Sequence, residues 1–172
     1  MRLPFQKTLA EKHAKAYQYY RDRGMLHQNL WRSENSACAL GAYFGARDSG
    51  EAKDKCIEQG LPPWLIYSTP GIFDGLRLKD AIPWADALFG VNGIILKIDK
   101  LPKALQQEVW HKAYKKIECY MHHHPVDYPR NSCGYWSLSD WVNLHNNRAA
   151  AAGSIVVAIE DAYDELIRTL AQ

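Results

Sequence analysis

The C-terminal third of the chain carries the feature that restricts its fold most. Trp141, Leu144, Arg148, Ala151, Ile155, Ile159, Ala162, Leu166 and Leu170 recur at spacings of three and four. That period places them on one stripe of an α-helix, expected over about Leu138–Leu170. Ser137 and Asp140 are spaced as a capping box and set its start. Ala149 to Ala152 and Gly153 keep its middle narrow, which admits a closely packed neighbour. Asn146, Asn147 and Gly153 are also places where it can break in two. An apolar stripe needs an apolar cover. Leu105, Val109, Ala113 and Ile117 supply one, on a helix expected from the Asp99–Pro102 turn to about His122.

The rest of the chain repeats the helical period in shorter pieces. Leu9, His13, Ala16, Tyr17 and Tyr20 mark a helix over about Thr8–Arg23, stopped by Gly24. Shorter helices are expected at Ser36–Phe44, at Glu51–Gln59 with Cys56 and Ile57 as the buried side, from Pro62–Pro63 onward, and at Lys79–Leu88. Thr69-Pro70-Gly71 is expected to interrupt the third of these. Only Ile94–Ile98 has the branched residues of a strand. No second β-like run partners it, so it is expected as a helix or an extended buried segment. The fold class is therefore all-α: an irregular bundle of seven or eight helices, with two long C-terminal ones as scaffold. The 172 residues suggest a single domain over 1–172, and a 47% apolar content supplies its core.

Charge and cysteine usage narrow the function classes. A formal net charge of +2 gives no broad basic field, so nucleic acid is not an expected partner. Tyr17, Tyr19 and Tyr20 could stack on bases, but a core stripe with an exposed edge accounts for them. No run of about 18 apolar residues is present, so no spanning helix and no membrane partner are expected. The first residues carry no apolar signal core. The four cysteines, Cys38, Cys56, Cys119 and Cys133, include no C-x-x-C pair. The reading is a cytoplasmic protein with reduced thiols.

The strongest chemical suggestion lies in Ser33–Gly45. Small polar residues of the capping type lead into an apolar helix with Cys38 near its first turn. A helix N-terminus there can favour a thiolate. A cysteine hydrolase also needs a histidine to make the thiolate and a group to orient it. His122, His123, His124 and His145 are on offer, with Asn131 and Asn146 as orienting groups. The catalytic candidates are thus Cys38, His122, His124 and His145. The competing reading makes Cys38 a small buried hydrophobe, the usual state of a free cysteine. Its local sequence lacks an acid–base partner, and Gly41 and Ala42 mark a close helix contact.

Two further constellations sit before the last helix. Cys119 and His122 share a helical face at i, i+3, and Cys133 could return across the loop to complete a zinc-type donor set. The histidine run His122–His124 is otherwise a polar helix end complementing the dipole. Within the irregular segment His122–Tyr135, residues Tyr128, Arg130, Tyr135 and Trp136, with Trp141 beyond, have the aromatic and arginine content favoured at protein interfaces. They are the expected binding surface. Glu160, Asp161, Asp164 and Glu165 lack the E-x-x-H partner of a di-metal site and read as a solvated face. No Walker loop, G-x-G-x-x-G or G-x-S-x-G is present, and no cofactor is expected.

Several pieces fall in an order that resembles a family of uncharacterised helical proteins from bacteria and their phages. They are Cys38-Ala39-Leu40-Gly41, Gly60-Leu61-Pro62, Ile72-Phe73-Asp74-Gly75-Leu76, Ala81-Ile82-Pro83 and the Ala149–Ala152 helix. Ile72–Leu76 is the most specific of them. The family pattern has a second cysteine near Ala42, followed closely by a histidine; Ala42, Tyr43 and Phe44 stand here instead. The resemblance implies an all-α, soluble protein and carries no activity. The expected role is a non-enzymatic protein-binding or interaction protein, of phage or mobile-element origin by resemblance. Its partner would be another protein, reached through the aromatic loop, or a second copy through the alanine-bearing helix. The alternative is a small cysteine hydrolase on Cys38 with a distant histidine.

Overall fold

A computed structural model of the chain describes residues 8–126 and 134–172, the side chains of 134–137 excepted. Tyr128, Arg130 and Cys133 lie outside the described residues, as do the side chains of Tyr135, Trp136 and Ser137.

The described residues form nine helical segments, seven of them ten residues or longer, and no strand. The expected all-α class holds. The order is α1 (Leu9–Asp22), α2 (Ala39–Phe44), α3 (Ser49–Gln59), α4 (Pro63–Gly75), α5 (Leu78–Phe89), α6 (Ile94–Asp99), α7 (Lys103–His123), α8 (Gly134–Asn143) and α9 (Arg148–Leu170). Local chemistry explains the starts. Thr8 accepts from the Glu11 amide, and the Glu11 carboxylate accepts from the Thr8 amide, a complete capping box for α1. Asp48 caps α3, and Pro63 opens α4 where no amide donor is needed.

Several boundaries differ from expectation. The long C-terminal helix is two: α8 ends at Asn143, and Asn147 starts α9 by accepting from the Ala150 amide at 3.1 Å. The break falls at the Asn146–Asn147 pair, and α9 runs on through Gly153. Ser137 lies inside α8 and is not its cap. Helix α4 passes through Pro70 without interruption. Beside that proline, the buried Ser68 and Thr69 hydroxyls donate back to the Trp64 and Leu65 carbonyls, which keeps these buried polar groups paired within the helix. Ile94–Ile98 is helical, with Ile94, Ile95 and Ile98 in the core.

Helix α7 lies along α9, α4 along α8, and α1 against α2. One contiguous apolar cluster joins residues from all nine segments. Indole Nε1 of Trp84 donates to the Ala152 carbonyl at 3.0 Å and pins α5 to α9. Helix α4 meets α8 through glycines. A Cβ on Gly71 would stand 2.1 Å from Oγ of Ser139, and one on Gly75 would stand 2.0 Å from Oδ1 of Asn143. The close approach expected at Gly41 exists, but its partner is not a helix. A Cβ there would lie 2.1 Å from the backbone oxygen of Trp31. The segment 25–38 is folded onto α2, with Cys38 N–H donating to Trp31 and His27 N–H to Ala37. The Gln28 amide ties the same segment to the Phe73 and Leu76 carbonyls. By contrast, none of the described residues lies within 4 Å of a Cβ on Gly153, so none of them packs closely there.

Leu78–Asp99 is long and apolar enough, by composition alone, to pass for a membrane-crossing segment. The Gly90–Gly93 turn divides it into α5 and α6, whose apolar residues line the core.

Candidate functional site

Cys38 is the N-cap of α2. Its sulfur accepts from the Gly41 amide at 3.3 Å, and the residue is only 4% exposed. Two effects oppose each other at this thiol. Burial pushes its pKa up, while the Gly41 and Leu40 amides pull it down. Burial is the larger, so the helix N-terminus is used for capping and does not yield a ready thiolate. No histidine is among the groups that shift this thiol.

Two of the candidate histidines, His124 and His145, gather elsewhere, around Trp141. His124 stacks on Tyr120 with centroids 4.1 Å apart, and its carbonyl accepts from Trp141 Nε1 at 2.8 Å. His145 packs edge-on against Trp141 at 4.3 Å, with Nδ1 on the Trp141 carbonyl. His122 sits exposed at the end of α7, edge-on to His123. His124, His145 and Tyr120 are thus brought together, and Cys38 has its partners in α2.

For a metal, Cys119 and His122 are both exposed on α7, and their third expected ligand, Cys133, is outside the described residues. Among the described residues no group of three or more His, Cys, Asp or Glu side chains could hold an ion. Trp141, grouped by sequence with the binding loop, is buried core. The acidic face of α9 is exposed. Glu165 meets Lys116 at 2.6 Å, and that hydrogen bond holds its carboxyl below the usual range.

The structure supplies a surface that the sequence reading missed. Helix α3 ends at Gly60, whose φ of +82° suits glycine and turns the chain sharply. Leu61, Pro62 and Pro63 follow and deliver Trp64 onto α7. There Trp64 meets Trp110 edge-on at 6.1 Å and Tyr114 at 5.5 Å. These rings floor an open cleft of about 420 Å³, with Ile57, Pro62 and Pro63 on one wall and Gln107 and His111 on the other. Ile57, expected on the buried side of α3, is 64% exposed here. A smaller apolar hollow, lined by Lys53, Cys56, Ile57, Ile66 and Tyr67, continues the surface past Ile57 and Pro63. One signal for the cleft was available. Trp110 and Tyr114 stand at i, i+4 on α7, beside the Val109–Ala113–Ile117 stripe and not on it.

Two other depressions lie elsewhere on the surface. A groove between α7 and α9 is lined by Tyr120, Gly153, Ser154 and Val157. A polar notch at the α4–α5 and α8–α9 turns contains Arg77 and Arg148. Arg77 is engaged with Asp80 at 3.1 Å, and Arg148 donates to the Gly75 carbonyl at 3.0 Å.

Compared with protein-family models, curated proteins and solved structures, the chain matches none.

Proposed function

We propose that this is a non-enzymatic protein-binding protein that docks a partner at the Ile57–Trp64–Trp110 cleft. The observation that carries the reading is one exposed isoleucine, Ile57, at a cleft floored by the buried Trp64 packed on Trp110 and Tyr114. An isoleucine left this exposed is costly to keep in water. Rings locked against each other lose little entropy on binding, which is the character of interface hot spots. A cytoplasmic setting and a phage or mobile-element source belong to the same proposal, the latter on resemblance alone.

Burial of Cys38 and its amide partner weigh against the hydrolase alternative. The test of the binding reading is an array of random-sequence peptides probed with the full-length protein. The wild type retains a subset of peptides. Ile57→Asp binds them at least about tenfold more weakly with its helicity unchanged, because Ile57 is exposed and carries no core packing. Undiminished binding by Ile57→Asp rejects the reading.

A further inference from the structure

We infer that the cleft takes an apolar side chain from an acidic peptide segment. This rests on the docking reading above and adds the chemistry of the partner. Neither the cleft nor the hollow beside it is lined by a single Asp or Glu, in a chain with 19 of them. Two ammonium groups stand near the edge, while the exposed Asp54 and Glu58 flank Ile57 on α3. Lys53 lines the hollow. The Lys103 ammonium lies 3.6 Å from where a Cβ on Gly60 would stand, and Gly60 itself lines the cleft. Lys53 and Lys103 are both exposed.

This edge decides between two ligands that aromatic rings attract. A cation entering the cleft would be drawn by the ring quadrupoles of Trp64 and Trp110 only through the little of each ring that is open. It would meet two ammonium groups at the edge, and like charges disfavour the approach. An apolar anchor flanked by carboxylates fills the same aromatic floor and pairs with Lys53 and Lys103. The cleft, about 420 Å³ and open to solvent, has room for such an anchor side chain.

The same peptide array tests this, scored now for composition. Retained peptides are expected to carry an aromatic or branched aliphatic residue with Asp or Glu close by. The double charge reversal Lys53→Glu with Lys103→Glu is expected to weaken them about tenfold and to flatten their salt dependence. Circular dichroism verifies that the reversed variant keeps its helices. Retained peptides without acidic enrichment, enrichment in Lys and Arg, or indifference to the reversal would falsify the acidic partner while leaving docking intact. No retained peptide, or retention by Ile57→Asp, removes both. A dimer in sedimentation that Ile57→Asp abolishes puts a second copy in the cleft and also overturns the inference.

Discussion

Beside Gly41 two constraints meet within one turn of chain. Its amide donates to the Cys38 sulfur, and the space where a side chain would begin is filled by the Trp31 carbonyl. A backbone carbonyl tied into the 25–38 segment cannot yield as a side-chain tip can. Gly41→Ala should therefore cost about 3 kcal/mol in urea unfolding, the upper part of the usual range for overpacking. Gly153→Ala should move the other way. Its site is empty, so the helix preference for alanine adds up to about 1 kcal/mol. The thiols give a second measurement. Alkylation of the native protein followed by peptide mapping should modify the exposed Cys119 and spare Cys38 and Cys56 until denaturant is added. Burial pushes Cys56 up to about 11, and its thiol donates to the Leu61 carbonyl. Fast native alkylation of Cys38 would reinstate a nucleophile there. Sequence could name Cys38 and Gly41 as a pair worth attention. It could not say that the Gly41 neighbour is a loop carbonyl, because the 25–38 segment has no periodicity to place it.

Helices α1 and α2 meet across His13, whose ring packs on Tyr43 at 5.1 Å and Phe44 at 5.2 Å. Burial, then the nearby Lys55, lower its pKa from 6.5. Glu58 acts in the opposite direction and Lys12 adds to the lowering. The folded form thus holds His13 neutral, and the unfolded chain binds the proton more readily. Stability from this site is complete above about pH 6.5 and is lost as pH falls from there toward the lowered folded value. A His13→Phe variant should show a flatter stability profile on the acid side of that point in denaturant titrations at several pH values. An equal slope in both proteins would remove His13 as the cause. The short helices were the most legible part of the sequence: Thr8 and Gly24 bracket α1, and α3 ends at Gln59, as expected. The failures have local causes. Pro70 reads as a breaker, yet packing of α4 on α8 keeps the helix whole. The apolar seam from Trp141 to Leu170 reads as one rod because the period continues across the Asn147 cap.

Across the whole molecule, the cleft was the least legible feature. It is assembled from α3, the turn after Gly60, and α7, so no single stretch announces it. Ile57 looked like core because it neighbours Cys56, and only the position of α7 leaves it outside. Binding at this face is expected to stand apart from stability: Ile57→Asp should leave the unfolding midpoint nearly unchanged while peptide retention falls. A large drop in midpoint would make Ile57 a structural residue.

The glycine contact between α4 and α8 also bears on how the chain is made. Gly71 and its hydrogen-bonded partner Asn143 are 72 residues apart. At about 5–20 residues per second, roughly four to fourteen seconds of synthesis separate them. During that interval α4 has emerged with Ile72 and Phe73, and the helix that covers its glycine face does not yet exist. The nascent chain therefore presents an apolar surface to its surroundings until α8 arrives, and that interval is when it most needs a chaperone.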